Sequence, residues 1–161
     1  MLRPRHQLHG SYQMIAQLTR DHREFQVHLG KAQAQWYHGP VAEPVIQIAR
    51  LCLLHFELEQ EIVFPLFAMG GGFEVGEDHS KVDQLRILTG HFETWREELY
   101  DQHQSMTAAL DELLVSALED GNEGLITLTR NLNAHEKQEE EIVYRGIFLI
   151  RNYVQHNFPL H

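Results

Sequence analysis

The stretch HFELEQEIVFP, residues 55–65, is followed eighty residues later by HEKQEEEIVYR, residues 135–145. Both begin with a histidine, place a glutamate four residues on, and continue with Ile-Val at the same offsets. Residues four apart on an α-helix share a face, so each stretch presents an imidazole and a carboxylate in one direction. The face continues with Ile62 and Ile142, which predicts that it points into a core. Because charge in a core is costly unless it is paired or bound to metal, the repeat indicates metal ligands.

Apolar residues recur at three-and-four spacing in long blocks, and alternating β-branched strands are almost absent. This pattern predicts an all-α protein. Glycine-containing breakers separate four long helical segments, which we predict at residues 11–37, 41–69, 91–119 and 123–150. A loose capping pattern predicts a short extra connecting helix at 80–88, ended by Gly90. Long helices with short loops are typical of an up-and-down four-helix bundle, which we predict as a single domain over residues 1–161.

Composition narrows the class of function. The chain has 161 residues, 43% of them hydrophobic, and a formal net charge of −10. This negative charge opposes binding to nucleic acid or to an anionic membrane surface, so neither is predicted as a partner. The single cysteine, Cys52, excludes an internal disulfide and is predicted to be a core residue, with a thiol acting near the metals as the alternative. With no long apolar run in the sequence, we expect a cytoplasmic location.

Each repeated stretch is preceded by another histidine on an apolar stripe. His22 lies 33 residues before His55, and His103 lies 32 residues before His135. Apolar residues stand at −4, +3 and +7 from each upstream histidine: Leu18, Phe25 and Leu29 in the first case, Leu99, Met106 and Leu110 in the second. The chain is therefore predicted to form two helical hairpins of the same plan. Each would give one histidine from its first helix and a His–Glu pair from its second.

Two such hairpins placed face to face would bring four imidazoles and two carboxylates together. The predicted ligands are His22, His55, Glu59, His103, His135 and Glu139. Six groups are more than one tetrahedral zinc ion needs, and the set is too rich in nitrogen for calcium or magnesium. Two iron ions, bridged by the carboxylates and by an oxo or hydroxo group, would use the whole set. Manganese is an alternative, and zinc is less favoured.

The histidine from the third helix has alternatives. His79 occurs in EDHSKVDQL and His91 in TGHFETW. With a turn near residue 121, the ligand opposite His135 should lie near residue 107, which favours His103 over His79. His91 lies on a polar face of its helix.

Other glutamates in the two stretches are predicted to form a solvated face, with the alternative that some of them orient the ligand imidazoles. They are Glu57, Glu61, Glu136, Glu140 and Glu141.

The motif DHREF at 21–25, together with the two repeated stretches, resembles the hemerythrin-like, HHE cation-binding family. The resemblance covers essentially the whole chain. It implies a hemerythrin-like bundle in which the four histidines are iron ligands and Glu59 and Glu139 are the bridging carboxylates. Oxygen-carrying members of the family use a fifth histidine where this chain has Thr107, and an aspartate where it has Glu139. Both departures argue against reversible oxygen carriage.

The ligand set and the resemblance predict a non-haem di-iron protein that binds or senses a small diatomic ligand, dioxygen or nitric oxide. A di-iron oxidoreductase that reduces peroxide or oxygen at the same centre is the first alternative. An iron storage or donor protein is another, and a metal-free helical interaction module would need no iron at all. The content of iron separates that last possibility from the others.

Overall fold

The computed structural model describes residues 5–36, 38–71 and 79–158, with side chains from residue 10 in the first range and from residue 80 in the third. The helices are α1 (Arg5–Gln35), α2 (Ala42–Leu58), π1 (Glu59–Val63), α3 (Phe64–Gly70), α4 (His79–Glu119), α5 (Glu123–Gln138), π2 (Glu139–Tyr144) and α6 (Arg145–Asn157). Three elements join end to end in α2–π1–α3 and again in α5–π2–α6, which leaves four bundle helices. The predicted all-helical four-helix bundle is confirmed. No helix in the described ranges is long and apolar enough to cross a membrane.

The prediction of a separate connecting helix at 80–88 was wrong, because these residues belong to α4, which is bundle helix 3. It continues without a break through Gly90. A glycine inside a helix costs only about 1 kcal/mol relative to alanine. Burial of Leu85 and Phe92 in the same core cluster, on either side of the glycine, offsets this cost. Bundle helix 4 likewise continues beyond its predicted end at residue 150.

Glycines with left-handed backbone close the two hairpins. Gly39 has a φ of 98° and Gly121 a φ of 64°, and residues with a Cβ atom seldom adopt such values. After the second turn, the Asn122 side chain accepts a 3.1 Å hydrogen bond from the backbone N–H of Leu125 and so caps α5. The turns fall at the positions that the repeat predicts.

The four bundle helices pack in a ring, in which α1 contacts α2, α2 contacts α4, α4 contacts α5, and α5 contacts α1. Inside the ring, apolar side chains form two clusters. The first includes Leu29, Cys52, Phe56, Met106 and Leu132, and the second includes Leu18, Ile62, Leu99, Val143 and Ile147. Cys52 is buried, as predicted. Each bundle helix passes from one cluster to the other, and the predicted ligands lie on the stretches between them.

Each repeated stretch contains a π-helical turn that begins at its glutamate. A π-turn bonds residue i to i+5 and takes up one extra residue, so the inward face moves by one position. Val63 and Val143, eight residues past the repeated histidines, are completely buried. Ile62 is buried as well, but Ile142 is 40% exposed. The prediction that Ile142 continues the inward face was wrong, because it assumed uninterrupted α-helical spacing.

Candidate metal centre

All six predicted ligands lie together between the two apolar clusters. His22, His55, Glu59 and Glu139 have no exposed surface, and His103 and His135 are 5% and 4% exposed. Each of the four bundle helices contributes at least one of them. The structure therefore assembles the whole predicted set at one place.

The alternatives to His103 on the third bundle helix lie elsewhere. His79 is the first residue of α4, about 36 Å from His103 along the helix axis. Its side chain lies outside the described residues. The side chain of His91 is exposed. Position along α4 therefore favours His103 as the residue that joins the centre.

Glu59 is surrounded by imidazoles from three bundle helices. Its Oε1 lies 3.2 Å from His55 Nε2 and 3.7 Å from His103 Nε2. Its Oε2 lies 3.4 Å from His22 Nε2. The two oxygens of this carboxylate thus face different histidines, as they would in a carboxylate that bridges two ions.

Glu139 occupies the corresponding place in the second repeated stretch. Its Oε1 lies 3.1 Å from both His22 Nε2 and His135 Nε2. In each stretch the i,i+4 spacing brings a carboxylate oxygen to 3.1–3.2 Å from Nε2 of the histidine in the same stretch. The repeated motif therefore folds into the same local geometry twice.

The donor atoms form two groups, and within each group they all lie within 4.8 Å of one another. The first group is His55, Glu59, His103 and Glu139, and the second is His22, His135 and Glu139. We call these the His55–His103 position and the His22–His135 position. Each group could hold a metal ion, and Glu139 belongs to both.

Several of these donor atoms have no hydrogen-bond partner among the described residues. They are Nε2 of His55, His103 and His135 and Oε2 of Glu59 and Glu139. A buried polar atom without a partner costs about 1–3 kcal/mol. Since imidazole nitrogen and carboxylate oxygen both coordinate transition metals, a cation would satisfy all of these atoms together. The donor set fits a metal ion.

The outward ring nitrogens of two ligands contact glutamine amides. His55 Nδ1 lies 3.1 Å from Gln102 Oε1, so its N–H can donate outward and leave Nε2 free to bind metal. His22 Nδ1 lies 3.4 Å from Gln60 Nε2. Rotating that amide by half a turn places its oxygen beside Nδ1 and gives His22 the same arrangement.

At the other two histidine ligands, His135 and His103, carboxylates lie beside the outer ring nitrogen. His135 Nδ1 lies 3.6 Å from Asp21 Oδ2. Asp21 belongs to bundle helix 1, where it directly precedes the ligand His22. His103 Nδ1 lies 3.4 Å from both Glu136 Oε2 and Glu140 Oε1. A nearby carboxylate favours the tautomer that carries its proton on the outer nitrogen, which leaves the inner nitrogen free to bind metal.

The prediction that Glu136 belongs to a solvated face was wrong. Its side chain is buried because the residue after a ligand turns about 100° around bundle helix 4, toward His103 of the adjacent helix. The other four glutamates of that predicted face are exposed. The sequence did contain a signal for this burial. The residue of the first stretch that corresponds to Glu136 is Phe56, and an apolar residue there indicates a position that faces inward.

Tyr144 is a further residue that the sequence analysis missed. Its hydroxyl donates a 2.9 Å hydrogen bond to Glu59 Oε1, and its ring lies edge-on to His103 with centroids 4.9 Å apart. The residue is buried and ends π2. In the first half of the molecule Phe64 stands at the corresponding position.

Burial shifts the pKa values at the centre. It lowers the pKa of His22 to about 3, which keeps that imidazole neutral, as a metal ligand must be. Burial, with nearby Glu59, raises the pKa of Glu139 well above its usual value, and burial raises that of Glu136 to about 7. Burial also opposes charge on His55, but the Glu59 carboxylate outweighs it and raises the pKa of His55 to about 9. A bound cation would stabilise all the carboxylates as anions.

Aromatic rings enclose the His22–His135 position. Phe56 stacks on the His22 ring at a centroid distance of 3.9 Å, and Phe64 lies 5.2 Å from it on a similar orientation. Phe25 lies edge-on to His135 at 5.1 Å. Three phenylalanine rings therefore cover this side of the centre.

The His55–His103 position lies next to surface clefts. Two clefts, of about 320 and 420 Å³, are both lined by Tyr100, His103 and Glu140. His103 therefore connects the buried donors with solvent. The two halves of the centre therefore differ in what surrounds them, with phenylalanine rings on one side and surface clefts on the other.

Comparison with known proteins adds no relative. No protein-family model, curated protein or solved structure matches the chain. The resemblance to the hemerythrin-like family stays a prediction, and the case for a metal centre depends on the geometry of the donors.

Proposed function

We propose that the chain is a hemerythrin-like, non-haem di-iron protein that binds or senses a small diatomic ligand, dioxygen or nitric oxide. The observation that carries the proposal is that Nε2 atoms from four bundle helices face two carboxylates in one buried space. Six donors that include two shared carboxylates exceed the needs of one ion. Mixed imidazole and carboxylate donors suit iron.

In this proposal the ligands divide into two pairs of histidines with two shared carboxylates. His55 and His103 would hold one ion and His22 and His135 the other. Glu139 belongs to both groups, and Glu59 faces a histidine of each, so these two carboxylates would be shared. When bound, the iron pair supplies an open coordination position and electrons for reaction with a small molecule. The protein orients the imidazoles through their outer partners and keeps bulk water from the side enclosed by phenylalanines.

Access for a small molecule supports the choice of a diatomic ligand. The larger cleft at His103 is also lined by Thr107, one helical turn further along α4. The Thr107 hydroxyl donates a 3.0 Å hydrogen bond to the backbone carbonyl of His103, so it offers the centre no strong ligand. The cleft beside the His55–His103 position would therefore give a small molecule room to approach.

A second candidate is an oxidoreductase that reduces peroxide or oxygen at the same centre. Tyr144 favours it, because a buried phenol that donates to Glu59 beside a cleft is positioned as a proton donor. The two candidates share their metal ligands and differ in whether the bound small molecule is released unchanged or reduced.

Metal analysis of protein purified in air after expression in iron-replete medium tests the proposal. We expect about two iron ions per chain and the near-ultraviolet absorption of a bridged ferric pair. A spectral change that reverses when oxygen or nitric oxide is removed would favour the sensor, and catalytic consumption of peroxide would favour the enzyme. One zinc ion without iron would contradict the proposal.

A further inference from the structure

Two glutamates of the second repeated stretch stand beside a metal ligand on its solvent side. We propose that Glu136 and Glu140, which lie beside the outer nitrogen of His103, form a loading site through which a divalent metal ion passes from solvent to the His55–His103 position. This inference rests on the proposed metal-binding function and adds the route by which the ion arrives. It gives a role to two acidic residues that the set of six ligands does not include.

The distances describe a continuous path of donors. Glu140 Oε1 lies 3.4 Å from His103 Nδ1, and its side chain is 60% exposed. Glu136 Oε2 lies 3.4 Å from the same nitrogen and 3.9 Å from His55 Nε2. An ion leaving solvent thus meets an exposed carboxylate, then a buried one, and then the inner donors.

Glu136 is the element of this path that points to a cation. Its side chain is 5% exposed, and neither of its carboxylate oxygens has a hydrogen-bond partner among the described residues. A buried carboxylate in that condition is costly unless a positive charge comes near it. A metal ion in transit supplies that charge.

The larger cleft is an entrance to this path, and its charged lining residues are negative, which favours a cation. Asp111 and Glu140 both line it, and none of its lining residues in the described part of the chain is a lysine or arginine. The smaller cleft is also lined by Arg145, which would repel a cation. A cleft lined by one sign of charge raises the local concentration of counter-ions and their rate of entry.

The first half of the molecule supplies an internal contrast. At the positions that correspond to Glu136 and Glu140 it has Phe56 and Gln60. Gln60 contacts the outer nitrogen of His22, so a neutral amide is sufficient to orient a ligand imidazole. Orientation of an imidazole therefore does not by itself require the negative charges of the second half.

The variant Glu140→Gln gives the second half the residue that the first half already has. Uptake of Co²⁺ by metal-free protein, with helix content checked by circular dichroism, is followed by stopped-flow visible absorption. We expect uptake about 10-fold slower at low ionic strength, with two cobalt ions still bound at saturation. Because a route changes rates without changing the bound state, release to excess chelator should slow by the same factor. Glu136→Gln should act in the same direction.

Glu141→Gln is the matched control, since it removes the same charge from a 65% exposed side chain that pairs with Lys137. It should load at the wild-type rate. Wild-type uptake and release rates in Glu140→Gln would overturn the inference alone, as would loss of a bound ion at saturation in Glu136→Gln. A wild-type protein that takes up no cobalt would overturn the proposed function together with it. If the metal-free protein unfolds, the release rates of the loaded variants decide the matter.

Discussion

The two hairpins of the bundle follow one plan but surround the centre differently. Each supplies an upstream histidine, a His–Glu pair at i,i+4 and a π-turn that begins at the glutamate. Among the corresponding positions that differ, three pairs contact the ligands, and they are Phe56 and Glu136, Gln60 and Glu140, and Phe64 and Tyr144. The side chains of the first hairpin in these pairs are apolar or neutral, whereas those of the second are acidic or phenolic.

The positions that the two hairpins share and the positions at which they differ have different roles. The shared positions build the donor set, because they place nitrogen and oxygen at the same depth from both halves. The differing positions decide which side is enclosed by aromatic rings and which side meets solvent and charge. A symmetric ligand set thereby acquires two unequal metal positions.

Removing a donor that both positions share should have the largest effect. Glu139 belongs to both groups of ligand atoms, so Glu139→Ala is expected to lower the metal content from about two ions per chain to less than one. Metal analysis after saturation and desalting measures this. Glu141→Ala, an exposed glutamate in the same π-turn, is the control and should retain both ions. Two ions retained in Glu139→Ala would show that the carboxylate is not a ligand.

Removing a ligand that belongs to only one position should lower the metal content less. His103→Ala leaves the His22–His135 group intact, so we expect about one ion per chain and no absorption from a bridged pair. His79→Ala should keep both ions, because residue 79 lies about 36 Å from His103 along α4. The opposite pattern, with metal lost only from His79→Ala, would refute the assignment of His103 and with it the comparison of the two hairpins.

Much of the fold and the grouping of the six candidate ligands could be predicted from the sequence, because both depend on periodic spacing. Apolar stripes at helical intervals locate the core, and equal distances between histidines in the two halves place them at the same depth. The burial of all six residues bears out that placement.

The departures have local physical causes that spacing does not record. Glycine often marks the end of a helix, but α4 continues through Gly90 because residues on both sides of it pack in the core. The π-turns change the inward face after each glutamate, which exposes Ile142 and buries Val143. Glu136 resembles its exposed neighbours in type, and only the contact between two bundle helices distinguishes it.

In metal-free protein, protonation of Glu136 in the second hairpin should make the free energy of unfolding depend on pH. Burial raises the pKa of Glu136 from 4.5 to about 7, so the folded state holds a proton that the unfolded state releases between these pH values. The contribution to stability is therefore present below about pH 4.5 and is lost as the pH rises through about 7. Phe56 at the corresponding position has no such dependence.

The variant Glu136→Gln isolates this contribution. Between pH 4.5 and 7.5, the free energy of unfolding of the wild type should fall relative to the variant by at most about 3 kcal/mol. Urea denaturation of both metal-free proteins at several pH values measures the difference. Titration of His22, whose pKa is lowered to about 3, makes stability rise with pH, but it is common to both proteins. Parallel curves for the two proteins would contradict the assignment.

The smallest expected effect comes from making the π-turns alike. Tyr144→Phe gives the second hairpin the residue that Phe64 provides in the first, and removes the hydroxyl that donates to Glu59 at 2.9 Å. Both ions should remain at saturation, because Glu59 still has its histidine neighbours. Loss of an outer hydrogen bond to a ligand should weaken binding of the less tightly held ion about 10-fold, or about 1.4 kcal/mol.

Competition with a chromophoric chelator measures that change in affinity. Tyr100→Phe is the matched control, because the Tyr100 ring is half exposed and its centroid lies 6.1 Å from that of Tyr144. It should bind both ions with wild-type affinity. An ion lost from Tyr144→Phe at saturation would make the phenol a ligand in its own right. Unchanged affinity would mean that the hydrogen bond to Glu59 does not distinguish the two hairpins, so that the acidic pair at 136 and 140 would account for their difference alone.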